Sequence, residues 1–502
     1  MTQTSGNLTV KRKNNTLAGD VVRSRLFMTS SLLLLLLFYA WLASAGSGNE
    51  NGTTTYYYSY LADAFLHGNF HISMRPDPEL LALENPYNLS ARIELEKTGV
   101  VTPIDFALYK GKFYLYWGPV PALLLAFFQV FSGQQPVGDF FLAFLFAVGI
   151  LLAQSLLLLA VWDRYFRHLP KWTLYLSIFL VGLVWSFALL RHDYDHARIY
   201  EAAISSGQFF LISGLWMTFT AIDDLSVPNW RLALSGSFWA MAIGSRNLLV
   251  VPIAVIVILT IGWIVRAKFM FAQKIIKLLS LGLPLLLGGL ALSWYNWARF
   301  GSITETGLSY LLAGQDIQKH HSDLFSVSYI FQNLYNYIIN PIHFHVSFPF
   351  VSMLKGHKDL LPQGTQFYYA EATAGLLYLF PFALFAVIPL IAFILNLFPK
   401  HSTKNPLEGN HQLPFWLTMG LTGTFVTAFG LLLTFYWVGR RYTGDFLPAL
   451  TVLSALGFWQ GFQFTENKPF IKRLYAISGI LLGCLSVVIS ILLAISTVLA
   501  TF

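Results

Sequence analysis

Long stretches with almost no charge recur along this chain, and they limit what it can fold into more than any other feature. Leu32–Leu37, Leu151–Val161, Leu285–Leu292 and Ile480–Leu499 each lie inside such a stretch. The stretches approach the roughly 20 residues that a helix needs to cross about 30 Å of hydrocarbon. Only 11% of the 502 residues are charged and 56% are hydrophobic, whereas soluble domains carry about 25% charged residues. A water-soluble fold is excluded. A closed β-barrel is excluded too, because its strands would alternate apolar and polar residues.

The expected fold is therefore an all-α, polytopic transmembrane bundle of about eleven helices. Their spans are 26–45, 139–162, 172–190, 202–222, 231–245, 248–266, 276–299, 373–398, 413–436, 445–463 and 474–500. Gly118–Phe131 is apolar as well, but it opens with two prolines and has only about 14 residues, which suits a re-entrant or interfacial helix. This gives a basic cytoplasmic N-terminus at 1–25 and a transmembrane core over 26–300 that includes a first outer loop at 46–138. A second outer loop follows at 301–372, and C-terminal helices occupy 373–502. The first apolar run is too long for a signal-peptide core and reads as an uncleaved helix.

Charge placement supports this topology. The net charge of +8 is scattered among short loops and not gathered on one segment, which argues for positive-inside orientation and against nucleic acid. With Gly118–Phe131 not crossing, more than half of the 32 lysines and arginines fall on the cytoplasmic side, in the shorter loops. The single cysteine, Cys484, excludes an intramolecular disulfide and a cysteine metal cluster. Its apolar neighbours suggest a small buried hydrophobe.

Under this topology five polar segments share the non-cytoplasmic face: Glu50–Gly118, Arg191–Glu201, Gly244–Asn247, Arg299–Tyr310 and Gly439–Asp445. Loops gather polar residues anyway, so the individual motifs matter. Tyr56–Gly68 has the spacing of an interfacial helix with tyrosines at headgroup depth, and its Asp63 either works as a catalyst or simply faces water. Tyr109–Tyr116, around Lys110-Gly111-Lys112, reads as a short hairpin feeding the half-helix at Pro119. Asp105 and Lys112 there offer a carboxylate and a cation where a lipid phosphate would sit. His192 and His196, with two aspartates nearby, resemble a metal site by spacing but fit a solvated loop better. Glu201 lies at the mouth of an apolar helix, where an ionised carboxylate is costly without a partner or a task. Arg246, Arg440 and Arg441 stand on the face that positive-inside bias depletes of arginine. They suit bidentate contact with an anionic ligand, with snorkelling as the plainer alternative.

At these residues the chain resembles the GT-C superfamily of glycosyltransferases. The likeness is to bacterial membrane proteins similar to the protein mannosyltransferases and the lipid A aminoarabinose and galacturonic acid transferases. It rests on Leu61-Ala62-Asp63-Ala64 with Gly68, the block Tyr109–Pro119, Tyr200-Glu201, Tyr295-Asn296 with Arg299-Phe300-Gly301, and Arg441-Tyr442 with Asp445-Phe446 and Pro448. The resemblance implies sugar transfer from a polyprenyl-phosphate donor to a lipid, polysaccharide or protein acceptor at the outer membrane face. In such enzymes an early acidic residue of the first outer loop, often in an Asp-Glu pair, is the base. Here that place reads Asn49-Glu50-Asn51-Gly52, with Glu50 alone.

An acceptor hydroxyl needs a carboxylate to take its proton, and a departing lipid phosphate needs cations. Asp105, Asp63, Glu50 and Glu201 are the candidates for the base. Lys112, Arg246, Arg440 and Arg441 are the candidates for the phosphate, with Tyr87, Arg92, Tyr200 and Tyr442 as further substrate contacts. A divalent cation is compatible with this chemistry but not required by it. Two other readings compete: a transporter or lipid flippase, and a catalytically inactive GT-C-fold binding protein. The absence of a paired repeat and the scarcity of ionisable residues in the spans count against transport.

Overall fold

The apolar runs become helices, and the polar segments between them become short helices and small sheets. The computed structural model describes residues 28–44, 55–133, 135–189, 198–222, 229–365, 367–397 and 415–499. Helix α1 (Met28–Ala43) is followed by α2 (Tyr57–Leu66), α3 (Pro78–Ala82) and α4 (Leu89–Glu96). Next come strands β1 (Phe106–Tyr109) and β2 (Lys112–Leu115), then α5 (Val120–Ser132), α6 (Asp139–Val161), α7 (Lys171–Leu183) and α8 (Ser186–Leu189). Helices α9 (Ile199–Ile222), α10 (Trp230–Ser245), α11 (Val250–Arg266) and α12 (Phe271–Phe300) complete the first part. The following loop holds α13 (Ile330–Leu334), β3 (Ile342–Phe344), β4 (Val351–Lys355), β5 (Tyr369–Ala370) and β6 (Ala372–Thr373). The chain then runs through α14 (Leu376–Leu379), α15 (Val387–Leu397), α16 (Phe415–Leu433), β7 (Trp437–Val438), α17 (Leu447–Phe464) and α18 (Pro469–Leu499).

The bundle is all-α and polytopic, but fewer helices than expected reach spanning length. Six described helices are long and apolar enough to cross a membrane: Asp139–Phe166, Ile199–Ile222, Asn247–Arg266, Phe271–Phe300, Phe415–Leu433 and Pro469–Leu499. Two of the expected runs are interrupted among the described residues. The 172–190 run breaks after Leu183, where Trp185 turns inward and donates its indole N–H to Gln154 Oε1 at 3.1 Å. The 373–398 run opens as the end of β6, the short helix α14 and a 3₁₀ turn at Pro381–Ala386 before α15 begins. Helix α5 is 13 residues long, about 20 Å at 1.5 Å per residue, which is short of a crossing. It buries Val120, Ala122 and Leu125 and exposes Phe127, Phe128 and Phe131.

Helix α17 is enclosed on all sides, with Leu447, Val452, Leu456 and Trp459 at the centre of the core. Its Gly457 lies where a Cβ would meet the Phe385 carbonyl at 2.0 Å, so the close approach of these segments requires glycine. Cys484 faces outward from α18, so the expectation of a buried cysteine is corrected.

The expected hairpin is present. Strands β1 and β2 pair antiparallel with Phe106 opposite Leu115 and Tyr109 opposite Lys112. Lys110 (φ 48°) and Gly111 (φ 71°) form a two-residue turn with both residues left-handed, as the twist of a tight hairpin requires. Arg299, at the end of α12, fixes the hairpin by donating from Nη1 to the Leu115 carbonyl at 2.6 Å. The loop that follows α12 then crosses the hairpin: Leu312 N–H donates to the Phe106 carbonyl, and Asp105 N–H to the Leu312 carbonyl.

Candidate active site

Each of the five polar segments contributes to one cavity of about 780 Å³. Asp105 and Tyr116 come from the ends of the hairpin, Tyr200 from the first turn of α9, and Arg246 with Asn247 from the α10–α11 junction. Thr306 and Leu308 follow α12, and Arg441 with Tyr442 lie on the 3₁₀ turn between α16 and α17. Strand β5 and the segment that leads from α16 into β7 close the far wall with Tyr369, Phe435, Tyr436 and Trp437.

Backbone approach brings these pieces together. Gly118 and Gly244 face each other so closely that a Cβ on Gly118 would sit 2.1 Å from the Gly244 carbonyl oxygen. This contact places the hairpin beside the residue pair that precedes Arg246.

Asp105 is half-buried at the cavity edge, held in the left-handed region (φ 67°), and its Oδ1 accepts the Tyr200 hydroxyl at 3.1 Å. A non-glycine residue with positive φ needs support from its surroundings, and the bond to Leu312 supplies it.

Both arginines face the cavity and are braced from behind by carboxylates. Arg246 makes a two-point contact with Asp445, Nε to Oδ1 at 3.1 Å and Nη2 to Oδ2 at 2.7 Å, and Asp445 is fully buried. Arg441 Nη2 lies 3.0 Å from Glu371 Oε1, which also accepts the Trp437 indole N–H at 2.9 Å. The Arg441 guanidinium stacks 4.3 Å from the Tyr200 ring centroid and 5.2 Å from that of Tyr442. Burial pushes the Arg441 pKa down, but Tyr442, Glu371, Tyr200 and Glu201 together hold it well above the ordinary arginine value. The cation is therefore kept charged inside an aromatic wall.

The other sequence candidates lie elsewhere. Lys112 is exposed at the hairpin turn and does not line the cavity. Asp63 sits on α2 with its side chain 47% exposed, 3.3 Å from His67 Nδ1. Arg92 is buried and donates to the Ala313 carbonyl, which ties the first outer loop to the second, while the Tyr87 hydroxyl donates to the Leu108 carbonyl at 2.7 Å within the first. Glu201 is buried in the first turn of α9, behind Arg441. Arg440 is buried on the same turn as Arg441 but does not line the cavity. Glu50, His192 and His196 lie outside the described residues. Among the described residues no three His, Cys, Asp or Glu side chains gather where they could hold a metal ion. Among the described residues that line the cavity, Asp105 is the one carboxylate, and the positive charge comes from Arg246 and Arg441.

Sequence reasoning missed Glu371, Tyr369, Trp437 and the 311–317 wall. Glu371 was findable as the lone acid in Tyr368-Tyr369-Ala370-Glu371, just before an apolar run. The wall is set by the crossing of two distant loops and leaves no local signal.

The chain is similar in structure to the oligosaccharyltransferase of Archaeoglobus fulgidus in its apo form, with a TM-score of 0.50 and 13% sequence identity. The likeness covers 94% of this chain and 56% of the archaeal one, so the chain spans little more than half of that protein's length. The likeness is one of fold. No protein-family model matches the chain, and no curated protein matches it.

Proposed function

We propose that the chain is a GT-C-type glycosyltransferase that moves a sugar from a polyprenyl-phosphate donor to an acceptor at the non-cytoplasmic membrane face. The observation that carries this reading is the meeting, in one cavity, of the Asp105 carboxylate with the guanidinium groups of Arg246 and Arg441.

The arrangement suits an in-line displacement. An acceptor hydroxyl attacks the anomeric carbon while Asp105 takes its proton. The bond from that carbon to the phosphate oxygen breaks, and polyprenyl phosphate leaves with the electron pair. Arg441 and Arg246 hold the charge that develops on the leaving phosphate. The hydroxyl of Tyr200 fixes the orientation of Asp105. The aromatic faces of Tyr116, Tyr369 and Trp437 offer stacking surfaces for a sugar ring, while Leu311, Ile317 and Leu432 offer apolar wall to the start of the lipid.

The membrane location, the aromatic lining and the GT-C-like fold support this reading over transport, for which no observation in the cavity speaks. Lipid-linked sugar analysis of a strain lacking the gene, beside its parent, tests it. One polyprenyl-phosphate sugar should accumulate in the deletion strain. An unchanged lipid-linked sugar profile would sink the proposal.

A further inference from the structure

The segment expected as a second outer loop has its polarity turned inside out. Helix α13 continues through a π-helical turn at Tyr335–Ile339. The inward side of this helix carries Gln332, Asn333 and Asn336, and Asn340 follows directly; all four are fully buried. Gln332 Oε1 accepts the Leu360 N–H at 2.7 Å, and Asn336 Nδ2 donates to the His357 carbonyl at 3.0 Å. Asn333 Nδ2 reaches the carbonyls of Leu432, Leu433 and Phe435, and Asn340 Nδ2 that of Thr373. Outward point Val327, Phe331 and Leu334, at the i, i+4, i+7 spacing of one helical stripe, with Val327 and Phe331 each 75% exposed. A helix lying on water has the opposite arrangement.

The next element repeats the pattern. Strands β3 and β4 pair antiparallel, and the tip between them exposes Phe344, Val346, Phe348 and Phe350, with Val346 at 96%. Phe350 stands in the left-handed region (φ 69°), a costly conformation for a bulky residue that here presents its ring outward. Both elements lean on helices of spanning length, α13 on α16 and β4 on α18. From Leu324 to Lys358 the sequence has no acidic residue, while His343, His345, Lys355 and Lys358 flank the tip. That pattern suits the anionic headgroups of a bilayer surface.

We infer that the α13 helix and the β3–β4 hairpin are immersed in the interface of the bilayer that holds α16 and α18, with lipid covering their apolar faces. The inference does not depend on sugar transfer. It links the membrane to the cavity, because β4 pairs with β6 beside Glu371, and Asn333 holds the Phe435 carbonyl at the cavity wall.

The test uses the full chain with Cys484→Ser, carrying Phe331→Cys, Val346→Cys or Asp359→Cys, each labelled with a small environment-sensitive fluorophore. Asp359, with its side chain 87% exposed, is the aqueous reference. Ser328→Cys replaces Phe331→Cys should the latter not elute as a folded protein. The proteins are reconstituted into vesicles of phosphatidylcholine and phosphatidylglycerol. Nitroxide-bearing lipids should quench the labels at 331 and 346 several-fold more than the label at 359, and aqueous iodide should show the reverse order. Labels at 331 and 346 that respond like the one at 359 would overturn the inference, as would labels shielded from both quenchers by a second copy of the chain.

Discussion

Arg246 is not a lone cation: Nε and Nη2 of its fork are engaged by a carboxylate with no solvent exposure, which offsets part of the charge it offers a phosphate. Removing one partner of a buried pair leaves an uncompensated charge. Arg246→Ala is therefore expected to lower unfolding stability by about 3–5 kcal/mol, far more than a snorkelling surface arginine would. Arg246→Met combined with Asp445→Leu should recover most of that loss. Thermal unfolding in detergent measures both, and equal loss in the single and double variants would contradict the pairing. Arg441 differs, since Glu371 keeps the Trp437 indole when the arginine is lost. Arg441→Ala should weaken donor binding by about 1.5–3 kcal/mol, the range for a charge-assisted hydrogen bond. Lysine there should restore only part, having lost the planar fork. Unchanged donor affinity in Arg441→Ala would return this residue to a structural role.

At the scale of elements, the Gly118–Gly244 contact sets where the hairpin meets the α10–α11 junction. Gly118→Ala would push a methyl group into the Gly244 carbonyl, and overpacking of this kind costs about 1–3 kcal/mol. The variant should lose stability and also donor affinity, because Arg246 follows Gly244 by two residues. A variant with parental melting and parental donor affinity would show that the approach is looser than the structure has it. Elements with a local signal were legible in the sequence. The hairpin shows because Lys110-Gly111 interrupts two aromatic runs, and α5 shows because its prolines and short length mark it. The break after Leu183 was not legible, since Trp185 is drawn inward by Gln154, a contact over 31 residues. Pairing of β5 with β7 joins Tyr369 to Trp437 across α14, α15 and α16, which no local pattern announces.

For the whole molecule, the convergence of five polar segments could be read because ionisable groups are costly in lipid and therefore collect at its edge. Which of them face one cavity could not. Lys112, Asp63 and Arg92 have the right chemistry in the sequence but are pointed elsewhere by the turn, the helix face and the loop crossing. The orientation of the bundle depends on α5 not crossing. A reporter fused after residue 168 should read cytoplasmic and one after residue 196 external; opposite signals at both sites would invert the face on which the cavity opens.

The central claim is that Asp105 removes a proton from the acceptor beside a phosphate held by arginine. Asp105→Asn keeps the size of the side chain and removes its basicity. With the donor identified from the deletion strain, purified parental and Asp105→Asn proteins are compared for donor binding and for turnover under conditions where chemistry limits the rate. Turnover should fall by roughly 10²- to 10⁴-fold, the range of general acid–base catalysis, with donor binding largely kept. A folded Asp105→Asn protein within a few-fold of parental turnover would contradict the account.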